Sequence, residues 1–356
     1  VKQRQNNLDR LRVLAMLLIV FHHYGVHSDW SNIPSASWER ICLNILSPFG
    51  KVGVSYFILI SGYFMSRSHL TSKKIWNLMQ YVRKYSLLIA GLFFILGYHL
   101  DYISMWSYFL PTIFQVYWFF TYYVILQFLI PVIRPWLRQT DRSIQAKLIL
   151  LFVAINYIPR ILGVGLKVPN AYYPNEALAF LSIALLGHLI FIYQLKFKKY
   201  LPIFGVLSLI SVFIMFQQHY FIENYPWSFD PSMNDFYFSL TGLNSLTMLV
   251  FSVSTFILVL YLPNWPAKFP KLNQLMFGVY LVHDHPLMRE WLWKKLIHNE
   301  LLFPHYKRFI LASLITPLIV FLLSILAVYV IDILGIKIWL LCETKLKKLN
   351  KANYLS

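Results

Sequence analysis

Residues 9–27 read DRLRVLAMLLIVFHHYGVH. A charged start gives way to an apolar run that closes on His22, His23 and His27. No small-x-small cleavage site follows and many more apolar segments come later, so the stretch reads as an uncleaved first membrane helix. At about 100° and 1.5 Å per residue, Arg12 and His23 share one helix face and stand roughly 16 Å apart along the axis. With Arg12 at the cytoplasmic headgroups, His23 lies near the middle of a hydrocarbon core about 30 Å thick. His22 points about 80° away from that face, and His27 lies one turn beyond His23 on nearly the same face.

The rest of the 356 residues fits this beginning. Hydrophobic residues make up 58% and charged residues 13%, against about 45–50% and about 25% in soluble domains. That balance excludes a disordered chain, a coiled coil and a soluble enzyme, and leaves an all-α, polytopic membrane helix bundle. Ten apolar segments stand out, over 9–28, 47–65, 84–99, 115–134, 146–162, 177–194, 200–219, 241–262, 274–288 and 309–335; the third and ninth are short for a span, which needs about 20 residues. No linker, repeat or appended soluble domain interrupts them, so residues 1–356 read as one integral-membrane domain.

The net charge of +18 suggests a nucleic-acid partner in a soluble protein. Here the basic residues are dispersed among apolar runs, and the membrane is their partner. With the N-terminus inside, twenty-three of the 32 Lys and Arg fall on the inner side, which places both termini in the cytoplasm. The stretch 289–308 disagrees, carrying Arg289, Lys294, Lys295, Lys307 and Arg308 on the outer side. Its Trp291 and Trp293 suggest a helix lying in the interface. The outer loop 219–240 has aromatic and acidic residues, which suit either sugar rings or an interfacial belt. Cys42 and Cys342 fall on opposite faces, which forbids a disulfide.

An ionisable residue at membrane depth is a candidate functional group. The imidazole of His23 suits a general base near neutral pH. Arg12 at the inner mouth suits a phosphate-bearing ligand, because guanidinium pairs with phosphate in bidentate fashion. Each residue also has a plain structural explanation: Arg12 as a positive-inside anchor, His22 or His23 as a hydrogen-bonded packing residue. No metal is expected, since no third histidine or acid stands beside His23 and His27 in the helix.

Several motifs then resemble those of a known family. Asp9-x-x-Arg12, ten residues and His23 resemble the first-helix signature of acyltransferase family 3. FGKVGVSYFILISGYFM over 49–65 resembles its glycine–aromatic run ending in Ser61-Gly62-Tyr63. Arg83-Lys84 resembles the basic pair that opens the family's third helix. Tyr117-Trp118-Phe119 resembles its Trp-Phe motif, and Gly278 to His283 its late Gly-x-Tyr-Leu-x-His motif. Arg10 stands where glycine is frequent, and Ser55 where an acid is common.

The resemblance implies a bacterial plasma-membrane O-acyltransferase. It would take an acyl group, most often acetyl, from cytoplasmic acyl-coenzyme A to a hydroxyl of a surface or lipid-linked glycan. No cofactor is held; acyl-CoA is a co-substrate. The roles implied are His23 as base and Arg12, Arg83 and Lys84 as contacts for the CoA phosphates. Asp9 would orient Arg12, and Ser61, Tyr63, Trp118, Tyr280 and His283 would border the substrate channel. A homo-oligomer is compatible with the sequence. The competing class is a transporter or flippase-like protein that moves a saccharide without consuming acyl-CoA. No matching pair of Gly- or Pro-broken helices, frequent in inverted-repeat transporters, supports it.

Overall fold

A computed structural model describes residues 5–28, 33–34, 37–65, 71–165, 175–224, 242–243, 245–264, 266, 271–297 and 306–353. Among them every regular element is a helix and no strand occurs. The helices are α1 (Asn6–His27), α2 (Trp38–Phe64), α3 (Ser72–Ile95), α4 (Tyr102–Phe109), α5 (Trp118–Gln139) and α6 (Arg142–Gly165). They continue with α7 (Glu176–Phe197), α8 (Leu201–Asn224), α9 (Leu246–Leu260), α10 (Leu272–His283), α11 (Pro286–Glu290) and α12 (Tyr306–Asn353). A π-helical turn, Trp291–Leu296, follows α11.

Polar side chains start these helices by taking up backbone N–H groups that have no partner in the first turn. Ser37 accepts from the Arg40 N–H, Thr71 from Lys74, Asp101 from Ser104 and Asn175 from Ala177. Such caps lie outside the apolar runs, so several helices are longer than their hydrophobic segments. α2 begins at Trp38 rather than 47, and α3 at Ser72 rather than 84. Each of the ten apolar segments holds a helix. Among the described residues five stretches are long and apolar enough to cross a membrane: Trp38–Phe64, Ser72–Ile95, Trp118–Gln139, Glu176–Gln217 and Arg308–Ile333. The fourth runs through both α7 and α8. α1 carries Asp9, Arg10 and Arg12, and α10 has only 12 residues.

Large apolar side chains face outward, as a lipid solvent allows and water does not. On α12, Leu322 and Leu323 are 62% and 58% exposed, and on α8 Leu209 is 73% exposed. Inside, α1 packs along α2, and α2 packs on α7. The α2–α7 contact is backbone to backbone. A Cβ added to Gly62 would overlap the Ala184 carbonyl, and one on Gly187 would overlap that of Leu59. Small residues on both faces allow this approach.

The 274–288 segment does not continue as one helix. α10 stops at His283; His285 caps α11, its Nδ1 accepting the Leu287 N–H at 3.2 Å, with Pro286 in the first turn. In the stretch where the sequence suggests an interfacial helix, Trp293 is fully buried, with its ring 6.1 Å from that of Tyr24. Lys294, Lys295 and Leu296 of that turn face outward. The aromatic loop residues 225–241, and the side chains of 220–224 and Cys342, lie outside the described residues.

Candidate active site

One cavity of about 460 Å³ opens among α1, α2, α3, α5 and α10. Its walls follow helical spacing. α1 gives Arg12, Met16, Ile19 and His23; α2 gives Gly50, Val54, Phe57 and Ser61; α10 gives Asn273, Phe277 and Tyr280. Residues three and four apart lie on one face, so each helix presents a single stripe to the space. Tyr81 of α3 and Trp118, Phe119 and Tyr123 of α5 also line it, as do His22 of α1 and Lys51 of α2.

Arg12 marks one end. Its Nη1 donates to Asp9 Oδ1 at 2.6 Å, and Asn273 Nδ2 donates to the same oxygen at 2.6 Å. This double contact orients the guanidinium, which remains partly open, its side chain 28% exposed. Nearby, Ser61 donates to the Phe57 carbonyl at 3.0 Å and lies 3.5 Å from the Tyr123 hydroxyl.

His22 and His23 mark the other end. Gly50 makes room for the His22 ring, which occupies the place a side chain there would take. His22 Nδ1 donates to the Ser47 carbonyl at 2.6 Å, since a carbonyl only accepts. The same rule orders a chain of protons behind His23. His283 Nδ1 lies 2.5 Å from the Val279 carbonyl and must donate to it. In the neutral ring its Nε2 then accepts, from His23 Nδ1 at 2.9 Å. His23 is thereby left with an unprotonated Nε2. That atom is 3.6 Å from Asp284 Oδ1, which Arg289 holds at 2.9 Å from its guanidinium. Arg289 also donates to the Asp284 carbonyl at 3.1 Å. His23, His283 and Asp284 are all buried. A neutral imidazole with a fixed tautomer can take one proton, and the carboxylate across from it stabilises the resulting imidazolium.

Of the residues singled out in the sequence, Arg12, His23, Ser61, Trp118 and Tyr280 line this cavity. Asp9 and His283 stand behind Arg12 and His23. Three do not belong here. Tyr63 points toward α7, its hydroxyl donating to Gln194 Oε1 at 2.5 Å and its ring 5.3 Å from Phe191. Lys84 pairs with Asp332 of α12 at 3.0 Å, beside Tyr81 and Tyr85. Arg83 lies 5.3 Å from the Phe109 ring. Because α3 starts at Ser72, this basic pair sits in mid-helix and not at the inner mouth.

Sequence reading overlooked Lys51, Asp284 and Arg289. The signal was present: Lys51 and Asp284 are charged residues inside apolar segments, and Arg289 belongs to the stretch that broke the charge rule. The reason for dismissing a metal is also corrected, since His23, His27 and Asp284 have ligand atoms within 4.8 Å of one another. Arg289 already neutralises that carboxylate. His285 is fully buried, with the Tyr108 ring 4.8 Å away.

A family model described as an acyltransferase domain, that of acyltransferase family 3, matches residues 5–336, nearly the whole chain. No curated protein matches the chain, and no solved structure does.

Proposed function

The chain belongs to acyltransferase family 3, and from that premise we propose that it moves an acetyl group from cytoplasmic acetyl-CoA to a glycan hydroxyl. The observation that carries this reading is the single cavity bordered by both Arg12 and His23. A guanidinium at one end suits the donor's phosphates. The helix rise of roughly 16 Å between the two residues leaves room for an extended pantetheine arm. In this reading the ten apolar helical segments cross a bacterial plasma membrane with both termini in the cytoplasm, which the Lys and Arg asymmetry supports. The acceptor is a surface or lipid-linked saccharide reached from the histidine end.

The residues divide the work. Asp9 and Asn273 hold Arg12 in place for the phosphates. His283 fixes the tautomer of His23, so that Nε2 is the atom that takes the acceptor's proton. Asp284 faces the imidazolium that forms, and Arg289 keeps the carboxylate ionised and oriented. The site is narrow and mostly apolar, which limits hydrolysis of the thioester by water.

The test is turnover of labelled acetyl-CoA by purified protein in detergent, with a saccharide added as acceptor. Wild type is expected to release free CoA, and His23→Ala to bind the donor without releasing it. Release that persists in His23→Ala, with His22→Ala inactive, would move the base to His22. A folded wild type that consumes no donor would favour the transporter class, with saccharide movement across vesicles as its assay.

A further inference from the structure

Lys51 has no role in the scheme above, yet its side chain lines the cavity. It follows Gly50, whose missing side chain admits the His22 ring, and so stands at the histidine end. Its ammonium lies 4.2 Å from the centre of the Trp118 ring. Among the described residues no carboxylate lies in ion-pair contact with it. The aromatic face holds the cation in position without neutralising it. A charge kept in a mostly apolar, membrane-embedded space is costly and marks a functional group.

We propose that Lys51 is a catalytic residue that stabilises the negative charge developing on the thioester carbonyl oxygen during transfer. This rests on the acyltransferase reading. The acceptor hydroxyl gives its proton to His23 Nε2 as its oxygen bonds to the carbonyl carbon. The π pair of the carbonyl moves onto its oxygen, which faces the Lys51 ammonium. Collapse re-forms the carbonyl and breaks the carbon–sulfur bond, and the thiolate takes the proton back from His23. Ester and free thiol are the products, and no other reactant is needed. The two cations therefore have different roles. Arg12, steadied by Asp9, meets charge that is present before reaction, and Lys51 meets charge that exists only during it. An interaction confined to the transition state raises kcat rather than tightening substrate binding.

The experiment compares wild type, Lys51→Met, Lys51→Gln, Lys51→Arg and His23→Ala, purified in dodecyl maltoside. The neutral glucosyl hydroxyls of the detergent act as acceptor, and release of free thiol from acetyl-CoA is followed. Binding of an unreactive thioether analogue of acetyl-CoA reports on folding. The expected result is a kcat lower by roughly 10²–10³-fold in Lys51→Met and Lys51→Gln, the loss typical of removing one such donor. Analogue binding and donor KM stay at wild-type values, and Lys51→Arg recovers part of the rate. Should Lys51→Met fail to fold, Lys51→Gln carries the test. Wild-type kcat in both neutral variants, with His23→Ala inactive, overturns the proposal and leaves the acyltransferase reading intact. So does weakened analogue binding with unchanged kcat, which makes Lys51 a ground-state binding group. A wild type with no thiol release dependent on His23 overturns both.

Discussion

Asp284→Asn keeps the shape of the side chain and removes its charge. His23 Nε2 and Asp284 Oδ1 are 3.6 Å apart, and their side chains are 7% and 1% exposed. At an effective dielectric constant of about 20, two unit charges at this distance attract by roughly 4–5 kcal/mol. That is the stabilisation the imidazolium loses. It is an upper bound on the catalytic effect, because the charge on Arg289 opposes the imidazolium in both proteins. Each 1.4 kcal/mol is about tenfold in rate, so kcat is expected to fall roughly 10²–10³-fold, with KM for the donor little changed. The substitution also leaves Arg289 without its carboxylate; that side chain is 31% exposed, so the loss of stability is expected to stay below the about 3–5 kcal/mol of breaking a fully buried pair. Activity and stability are separable with the double variant Asp284→Asn/Arg289→Gln. It is expected to regain most of the lost Tm and only the part of kcat that the Arg289 charge had opposed, well short of the wild-type rate. The assay is steady-state release of CoA, alongside thermal unfolding in detergent. If the double variant regained the full wild-type turnover, Asp284 would serve only to pair Arg289, and the account of the imidazolium would be refuted.

Other substitutions probe separate parts of the fold. Arg12→Ala should raise donor KM at least about tenfold, as loss of a charge-assisted contact to phosphate implies, and leave acceptor KM alone; a change in acceptor KM only would remove the anchor role. Gly62→Leu drives a side chain into the Ala184 carbonyl and should cost more than the about 1–3 kcal/mol of ordinary overpacking, read as a lower Tm or loss of folded protein. Lys84→Met should lower stability by about 1 kcal/mol or less, since its pair with Asp332 is partly exposed, with donor KM unchanged. A rise in donor KM would return Lys84 to the donor site.

What the sequence made legible was local. The Arg12–His23 relation lies within one helix, where 3.6 residues per turn fix both angle and distance. The same rule explains the error over Tyr63: it stands about 200° around the helix from Ser61, so only one of the two can face a given space. Arg83 and Lys84 were misplaced because the start of α3 was read from hydropathy, whereas the helix starts at its Thr71 cap. The cluster around His23 was not legible. His283, Asp284 and Arg289 come from the far end of the chain, and only packing of α1 against α10 joins them to His23. Counting charges against topology also hid Lys51 and Arg289, because the count treats every cation as loop or headgroup material.

The hydrogen bond between His23 and His283 joins residues 260 positions apart. A ribosome adding about 5–20 residues per second needs roughly 13–50 s to make the second partner after the first. Through that interval α1 exists while the wall formed by α10 has yet to be synthesised. The nascent protein therefore carries its imidazole without the group that sets its tautomer, and without Asp284. On the proposed reading the site needs both partners, so the packing of α10 against α1 is the step that completes it.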